Sequence, residues 1–336
     1  MEPRFPYSSW PGDGTDWCHR KRGIGWPKHS GPTSTGSRRP AMPPSSVIRK
    51  HFAGSCPDSS TVVIVPRLDL HRIRKRFNRA APAYDDGARL QHQIEDELVS
   101  RLDLLELMPR TILDLGCGTG HAAPALSRAY PDAKLWGVDS AFEFLRRKQE
   151  FPDRRSPVLC ADAQALPLPG ESIDLVFSNL MLQWCEEPGL VFGEVFRILA
   201  GRSPFLFSTF GPRTLHELRE AWACVDREPH VMDFPDMPAL GTCLTRHGFV
   251  EIVLDTEVVI EYADSLTDLG RRLKQIGANS HPIGGSRGLT GRTRWQQVGE
   301  AYEIRRLPGE GLPVTYEIIY GIGWKPTPLP QVWGSA

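Results

Sequence analysis

Ile112-Leu-Asp-Leu-Gly-Cys-Gly-Thr-Gly120 is the stretch whose reading decides the fold. An apolar strand runs straight into Gly116, Cys117, Gly118, Thr119 and Gly120, and a helix follows. Glycines let a backbone turn sharply and approach a ligand with no Cβ in the way. In an open α/β sheet such a strand–loop–helix builds the crevice where ligands bind, at the carboxyl ends of the strands. Dinucleotide enzymes use G-x-G-x-x-G, which sets a pyrophosphate on a helix N-terminus. Here the spacing is G-x-G-x-G, with Asp114 just before it. That pattern suits S-adenosylmethionine, which has no phosphate but carries an ammonium and a carboxylate. Asp114 is placed to support the ammonium end.

Three further strand ends follow in order. Leu135-Trp-Gly-Val-Asp139 closes the second strand, and Asp139 with Ser140 lies 19 residues beyond Gly120. An acidic residue there accepts from both ribose hydroxyls. Cys160-Ala-Asp162-Ala163 ends the third strand, with Asp162 facing the adenine amine and the Ala163 N–H a ring nitrogen. Ser178-Asn179 ends the fourth, beside the transferable methyl. A lone G-x-G-x-G is weak, and an Asp after a strand is often only a helix N-cap. Four such features at consecutive strand ends outweigh that bland reading.

Outward from this core, strands are expected at Thr111–Leu115, Lys134–Val138, Pro157–Ala161, Ile173–Ser178, Phe205–Phe210, Val250–Tyr262 and Val314–Ile322. Helical patterns fall at 68–80, 85–107, 121–130, 140–149, 189–199, 214–226, 236–247, 265–276 and 293–306. Alternating strands and helices mark a parallel sheet. The domain is expected to span 67–325, with a helical insertion at about 263–312.

Residues 1–66 are crowded with Pro, Gly and Ser and lack periodicity, so they read as a disordered extension. They hold nine Lys/Arg against four Asp/Glu. A transit peptide and an artefactual upstream extension of the reading frame are the alternatives. Residues 326–336 read as a disordered tail.

The chain has 336 residues and zero formal net charge, with 40 Lys/Arg and 40 Asp/Glu. Bulk charge therefore announces neither a nucleic acid nor a membrane surface. No apolar run reaches the length of a membrane span, and no signal peptide is evident. Seven cysteines without a C-x-x-C pair fit free thiols in a reducing cytoplasm. The ten histidines show no metal-ligand spacing, so no metal is expected. His230 and His281 read as loop or surface residues.

Leu113–Gly120 with Asp139 and Asp162 resembles motifs I to III of class I methyltransferases. Their fold is a Rossmann-like, seven-stranded, mostly parallel sheet with an antiparallel last strand and a helical lid. From about Arg72 to Trp324 the chain resembles the malonyl-carrier O-methyltransferase family of biotin synthesis. The specific stretches are Phe77-Asn-Arg-Ala-Ala-Pro-Ala-Tyr84, Phe177-Ser-Asn-Leu-Met-Leu-Gln-Trp-Cys185, Ser208-Thr-Phe-Gly-Pro-Arg-Thr-Leu215 and Val225-Asp-Arg-Glu-Pro-His230. Leu273-Lys-Gln-Ile-Gly-Ala-Asn279, Gly288-Leu-Thr-Gly-Arg292 and Pro313-Val-Thr-Tyr-Glu317 complete them. The resemblance implies S-adenosylmethionine as cofactor and a malonyl thioester as substrate, on acyl carrier protein or coenzyme A. Methylation of the free carboxylate would make a primer toward pimelate. By the same resemblance Tyr84 lies over the methionine end of the cofactor, and Gln183 and Trp184 line the methyl-transfer pocket. Core packing is the equal alternative for Trp184. Two departures stand out: Leu199-Ala-Gly-Arg-Ser-Pro204 replaces a Pro-Gly-Gly turn, and Arg213 sits where an acidic residue is common.

Such a reaction needs no general base, because the acceptor carboxylate is ionised at neutral pH. Alignment and exclusion of water are the task. Arg271 and Lys274, three residues apart on one helix face, are candidates to steer the carboxylate, and Arg292 is a third. A solvated basic face, or one docking an acidic carrier, is the alternative. Two other functions compete: a complex I assembly factor of the same fold, associated with arginine hydroxylation, and a cofactor-binding scaffold without catalysis.

Overall fold

The computed structural model describes residues 69–147, 157–278 and 291–327. The expectations for 1–66, for His281 and for nearly all of 326–336 lie outside the described residues.

Seven strands form one sheet: β1 (Thr111–Leu115), β2 (Lys134–Asp139), β3 (Val158–Cys160), β4 (Leu175–Ser178), β5 (Pro204–Phe210), β6 (Val250–Ala263) and β7 (Leu312–Trp324). Their order is β3-β2-β1-β4-β5-β7-β6. β1 pairs in parallel with both β2 and β4, and β7 runs antiparallel to both β5 and β6. The order reverses at β1, so the crevice opens between β1 and β4.

Ten helices are described: α1 (Leu70–Ala80), α2 (Tyr84–Gly87), α3 (Arg89–Ser100), α4 (Ala123–Ala129), α5 (Phe142–Arg146), α6 (Pro188–Ile198), α7 (His216–Ala223), α8 (Met237–Arg246), α9 (Leu266–Gln275) and α10 (Arg292–Glu303). α9 and α10 form the insertion between β6 and β7. Helices cover both faces of the central strands, so these strands are apolar on both sides. Along them the side chains alternate. Ile112, Leu175, Phe177 and Leu206 join the core beneath α3, while Leu113, Leu115, Val176, Phe205 and Phe207 join the core beneath α6 and α8.

The helix expected over 85–107 is broken. Its first turn is α2, Ala88 separates it from α3, and a 3-10 turn ends it at Arg101–Leu104. The break has a packing reason: a Cβ at Gly87 would sit 2.8 Å from the Gln275 side chain of α9. β4 starts at Leu175 rather than Ile173, which makes only an isolated bridge to Leu199. Asp174 accounts for this: its carboxylate accepts the Arg110 and Thr111 N–H groups, both at 2.9 Å.

The unusual turn before β5 is stabilised from a distant segment. Arg202 takes the left-handed conformation (φ 63) that a glycine would otherwise hold. Its N–H donates to Lys325 O, and Lys325 Nζ donates to Leu199 O at 2.7 Å. Pro204 occupies the first position of its strand, where no ladder donor is lost.

Phe207 is fully buried and its ring is close-packed against Gly321, where a Cβ would lie 2.3 Å from the ring. Phe207→Ala is expected to cost about 3–5 kcal/mol. Denaturant unfolding should show a lower midpoint at unchanged slope.

Candidate active site

The glycine loop is shaped by β2. Gly116 N–H and Cys117 N–H both donate to Val138 O, at 2.7 and 3.0 Å. Gly116, Gly118 and Gly120 all have positive φ, at 81, 52 and 88. At Gly116 a Cβ would strike the Met181 side chain at 2.4 Å. At Gly118 a Cβ would meet nothing within 4 Å, although the residue lines the cleft. That open space is room for a ligand to lie against bare backbone.

Asp139 bridges loop and strand. One carboxylate oxygen accepts the Gly118 N–H at 3.0 Å and the other the Ala141 N–H at 2.7 Å. Burial raises its pKa, and the N–H groups of Ala141, Gly118 and Ser140 oppose that rise. Each oxygen keeps a further lone pair, enough for two ribose hydroxyls.

A cavity of about 350 Å³ joins this loop to the insertion helices α9 and α10. Tyr84, Gly116, Gly118, Asp139, Ser140, Ala163, Asn179, Gln183 and Trp184 all line it, as their motifs require. Tyr84 meets Phe144 edge-on at 4.8 Å, and Trp184 meets Phe77 likewise at 5.0 Å. The Asn179 amide donates to Gln91 O at 3.1 Å and accepts from Ser208 Oγ at 2.6 Å. Gln183 is buried; its amide donates to Leu180 O at 2.6 Å and accepts from Thr209 Oγ1 at 3.2 Å. Both amides are therefore fixed in orientation, which is preorganisation rather than adaptable contact.

Six expected residues do not line the cavity. Gly120 opens the helix behind the loop, accepting from the Ala123 N–H. Asp114 lies beneath the loop, 1% exposed, and its Oδ2 has no hydrogen-bond partner. Asp162 is half-buried and is paired with Arg74 at 2.5 Å, with the Gln164 N–H and amide on its other oxygen. Arg74 belongs to α1 and lines the cavity, so an adenine amine there would have to share that carboxylate.

The steering cations need correction. α9 turns Leu266, Leu269, Gly270, Leu273 and Ile276 to the cavity. Arg271 and Lys274 fall on the opposite face, and both are exposed. Arg271 pairs with Asp268 at 3.1 Å, and its side chain is 71% exposed. The cause is the helical period: the apolar stripe claims the inner face. Arg292 is exposed at the first turn of α10 and is also outside the lining. Arg213 is exposed as well and does not face the cavity.

His230 lies in a loop, as expected, but that loop faces inward. It lines the cavity and stacks on Trp222 with ring centroids 3.5 Å apart. Its Nε2 bonds Asp226 at 2.8 Å. The available signal was Asp226 and His230 four residues apart inside a stretch already quoted for its resemblance.

Carboxylates crowd the cofactor end. Burial pushes Asp114 up to about 8, with the Asp139 charge adding to it. Glu95 of α3 is raised well above its ordinary value by burial first, then by Asp114, Asp96 and Asp85. An unpartnered buried carboxylate and several like charges around one crevice fit a cationic ligand, and S-adenosylmethionine carries both a sulfonium and an ammonium.

Fold and cleft together define a Rossmann-like, S-adenosylmethionine-dependent methyltransferase. The methyltransferase domain family matches residues 113–207. Among solved structures, the YcgJ protein of Bacillus subtilis superposes with a TM-score of 0.50 at 17% identity, covering 69% of this chain and 98% of that one. The malonyl-[acyl-carrier protein] O-methyltransferase of Laribacter hongkongensis is 41% identical over 273 residues, 78% of this chain and 92% of the relative. The protein of the same name from Methylovorus sp. is 42% identical over 267 residues, 77% of this chain and 90% of the relative. The chain belongs to the malonyl-[acyl-carrier protein] O-methyltransferase family.

Asp139→Ala should weaken S-adenosylmethionine binding by roughly two orders of magnitude, for the loss of two charge-assisted hydrogen bonds; calorimetry checks it. A second outcome concerns pH. Because the folded pKa of Asp114 is raised, its contribution to stability is full below the ordinary carboxylate pKa and is lost as pH rises through about 8. A cationic ligand lowers that pKa, so cofactor binding releases protons and tightens with rising pH over the same window. Asp114→Asn should flatten both profiles, as read by thermal unfolding and by calorimetry in buffers of different ionisation enthalpy.

Proposed function

We propose that this chain methylates the free carboxylate of a malonyl thioester, carried on acyl carrier protein or coenzyme A, to give a methyl-ester primer for pimeloyl and biotin synthesis. The observation that carries this reading is the single cavity running from the glycine loop and Asp139 to an apolar chamber under α9. The names of the relatives favour the carrier protein as the bearer. When bound, S-adenosylmethionine supplies an electrophilic methyl group on a sulfonium.

The chain's own residues orient and exclude. Asp139 holds the ribose, with Gly116, Gly118 and Ser140 as backbone floor. Asp114 holds the ammonium end through the field under the loop. Asp162 and Ala163 take the adenine edge, with Gly120 starting the helix behind it. Tyr84 covers the methionine end. Asn179, Gln183 and Trp184 frame the channel along which the acceptor oxygen approaches.

No residue is assigned a proton transfer, because a carboxylate acceptor arrives ionised. Its nucleophilicity depends on losing water, and the apolar chamber supplies that. Leu266, Leu269, Leu273 and Trp295 from the insertion roof this chamber, which supports its role as a substrate lid. Among the described residues no helix is long and apolar enough to cross a membrane, and the described cysteines are free. Both support a cytoplasmic enzyme.

The decisive experiment incubates the protein with isotopically labelled S-adenosylmethionine and malonyl-loaded acyl carrier protein. Mass spectrometry should find the labelled methyl ester. Intact cofactor binding with no ester on either carrier protein or coenzyme A would remove the substrate assignment.

A further inference from the structure

Two helices of the cavity wall keep their apolar side inward and their charge outward. α1 carries five Lys/Arg and no Asp or Glu; its Leu70, Ile73 and Phe77 line the cavity, with Arg74 beside them. α9 lines it with Leu266, Leu269 and Leu273, and leaves Arg271, Arg272 and Lys274 exposed on its other side. The C-terminal ends of the two helices meet. A Cβ at Gly277, just beyond α9, would lie 3.1 Å from the Phe77 ring and 3.5 Å from the Ala80 Cβ. The Gln275 amide donates to Ala83 O at 3.4 Å. Phe77 and Ile276 both line the cavity at this seam. Arg79 lies within a turn of it on one helix, and Lys274 within a turn on the other.

These outer faces are basic by placement rather than by bulk composition, because the whole chain has zero formal net charge. On α1, Arg72, Lys75 and Arg79 are exposed, and Asp69 at the N-cap stands 4.0 Å from Arg72. On α9, Asp268 holds Arg271 at 3.1 Å and Arg272 at 2.7 Å, but its own side chain is only 9% exposed, so solvent meets the guanidinium groups. Of the acids on α2, Asp85 turns toward Thr119 of the glycine loop and Asp86 is exposed. The like charges on α1 feel one another: burial, then the charges of Arg72 and Arg79, lower the Arg76 pKa. An anionic surface laid across the helix relieves such repulsion.

Resting on the proposed reaction, we infer that the outer faces of α1 and α9 form one docking surface for the acyl carrier protein. An acidic face of the carrier meets Arg72, Lys75 and Arg79 on one helix and Arg271, Arg272 and Lys274 on the other. A substrate tethered to a protein is handed over within the reach of its arm, so the carrier must rest beside the cavity wall. These two helices are cavity wall on the inside and cation on the outside. Exposed ion pairs are individually weak, but a field of them speeds encounter and fixes orientation. Held outside the dry chamber, the same cations recognise the carrier without clamping the reacting carboxylate.

The test measures binding of fluorescently labelled malonyl-loaded acyl carrier protein to the full chain by anisotropy, at physiological salt. Binding by the intact protein should weaken as salt is raised. Lys75→Glu with Arg79→Glu, and separately Arg271→Glu with Lys274→Glu, should each weaken it roughly tenfold or more. Arg128→Glu with Arg246→Glu, the same change of net charge on α4 and α8, should bind as the intact protein does. Calorimetry with S-adenosylhomocysteine reports whether each variant is folded; where a Glu pair is not, the same pair as Gln carries the test with a smaller loss. Intact affinity in either docking pair, or an equal loss in the α4 and α8 control, overturns the inference. So does carrier binding indifferent to salt, or an intact protein that binds anionic phosphatidylglycerol vesicles and no carrier. Carrier binding that both docking pairs weaken, without formation of an ester, removes the proposed reaction and leaves the docking surface standing.

Discussion

The Asp139 carboxylate, held between the N–H groups of Gly118 and Ala141, is the constraint on which the site depends. It fixes the glycine loop to the end of β2 and the start of the following turn at once. Val138 O reinforces it by accepting from both Gly116 and Cys117. With these bonds in place the loop cannot relax toward an ordinary turn, and three glycines are kept at positive φ. The carboxylate that shapes the crevice is also the one suited to grip a ribose, so shape and affinity share a single side chain. Burial still raises the Asp139 pKa, and the same backbone donors limit that rise.

The crevice is also where the structure concentrates unfavourable charge. Asp139 acts on Asp114, Asp114 on Glu95, and Asp85 on Glu95 and Tyr84. In an empty site such a cluster opposes folding. The sulfonium and ammonium of the cofactor offset part of that repulsion, so cofactor binding and folding stability are linked. The N-terminal helices bring this about: Glu95 comes from α3, and Asp85 of α2 accepts from Thr119 Oγ1 at 2.7 Å. Tyr84 of α2 and Gln91 of α3 also line the cavity.

How much of this was legible follows from the range of each signal. Strand ends were readable where a buried strand stops abruptly: β1 runs directly into Gly116, and β2 ends at Asp139. The turn at Leu199–Pro204 was not, because its support comes from Lys325, far along the chain. Arg271 and Lys274 misled because spacing three apart fixes a shared face without saying which way that face points; the stripe Leu266, Leu269, Leu273, Ile276 was the better guide. The Arg74–Asp162 pair could not be read at all, since nothing local in Leu70–Ala80 says which of its five Lys/Arg residues turns inward. His230 was hidden for the opposite reason. A histidine in a Pro-containing loop looks exposed until Trp222 and Asp226 are seen on either side of it.

The two ends of the cavity differ in chemistry, and methyl transfer explains the division. The cofactor brings positive charge, and carboxylates receive it. The acceptor brings negative charge, and a wall of aromatic and aliphatic side chains receives most of it. Transfer converts a sulfonium and a carboxylate into a thioether and an ester, so charge on both reactants vanishes along the path. Strong fixed cations around the acceptor would oppose that change, since they hold the reactant better than the transition state. The strong cations of α9, Arg271, Arg272 and Lys274, are exposed on its outer face, where they add charge to the surface away from the cavity. What lines the inner face is what a reaction that destroys charge requires: dry walls and fixed amides at Asn179 and Gln183.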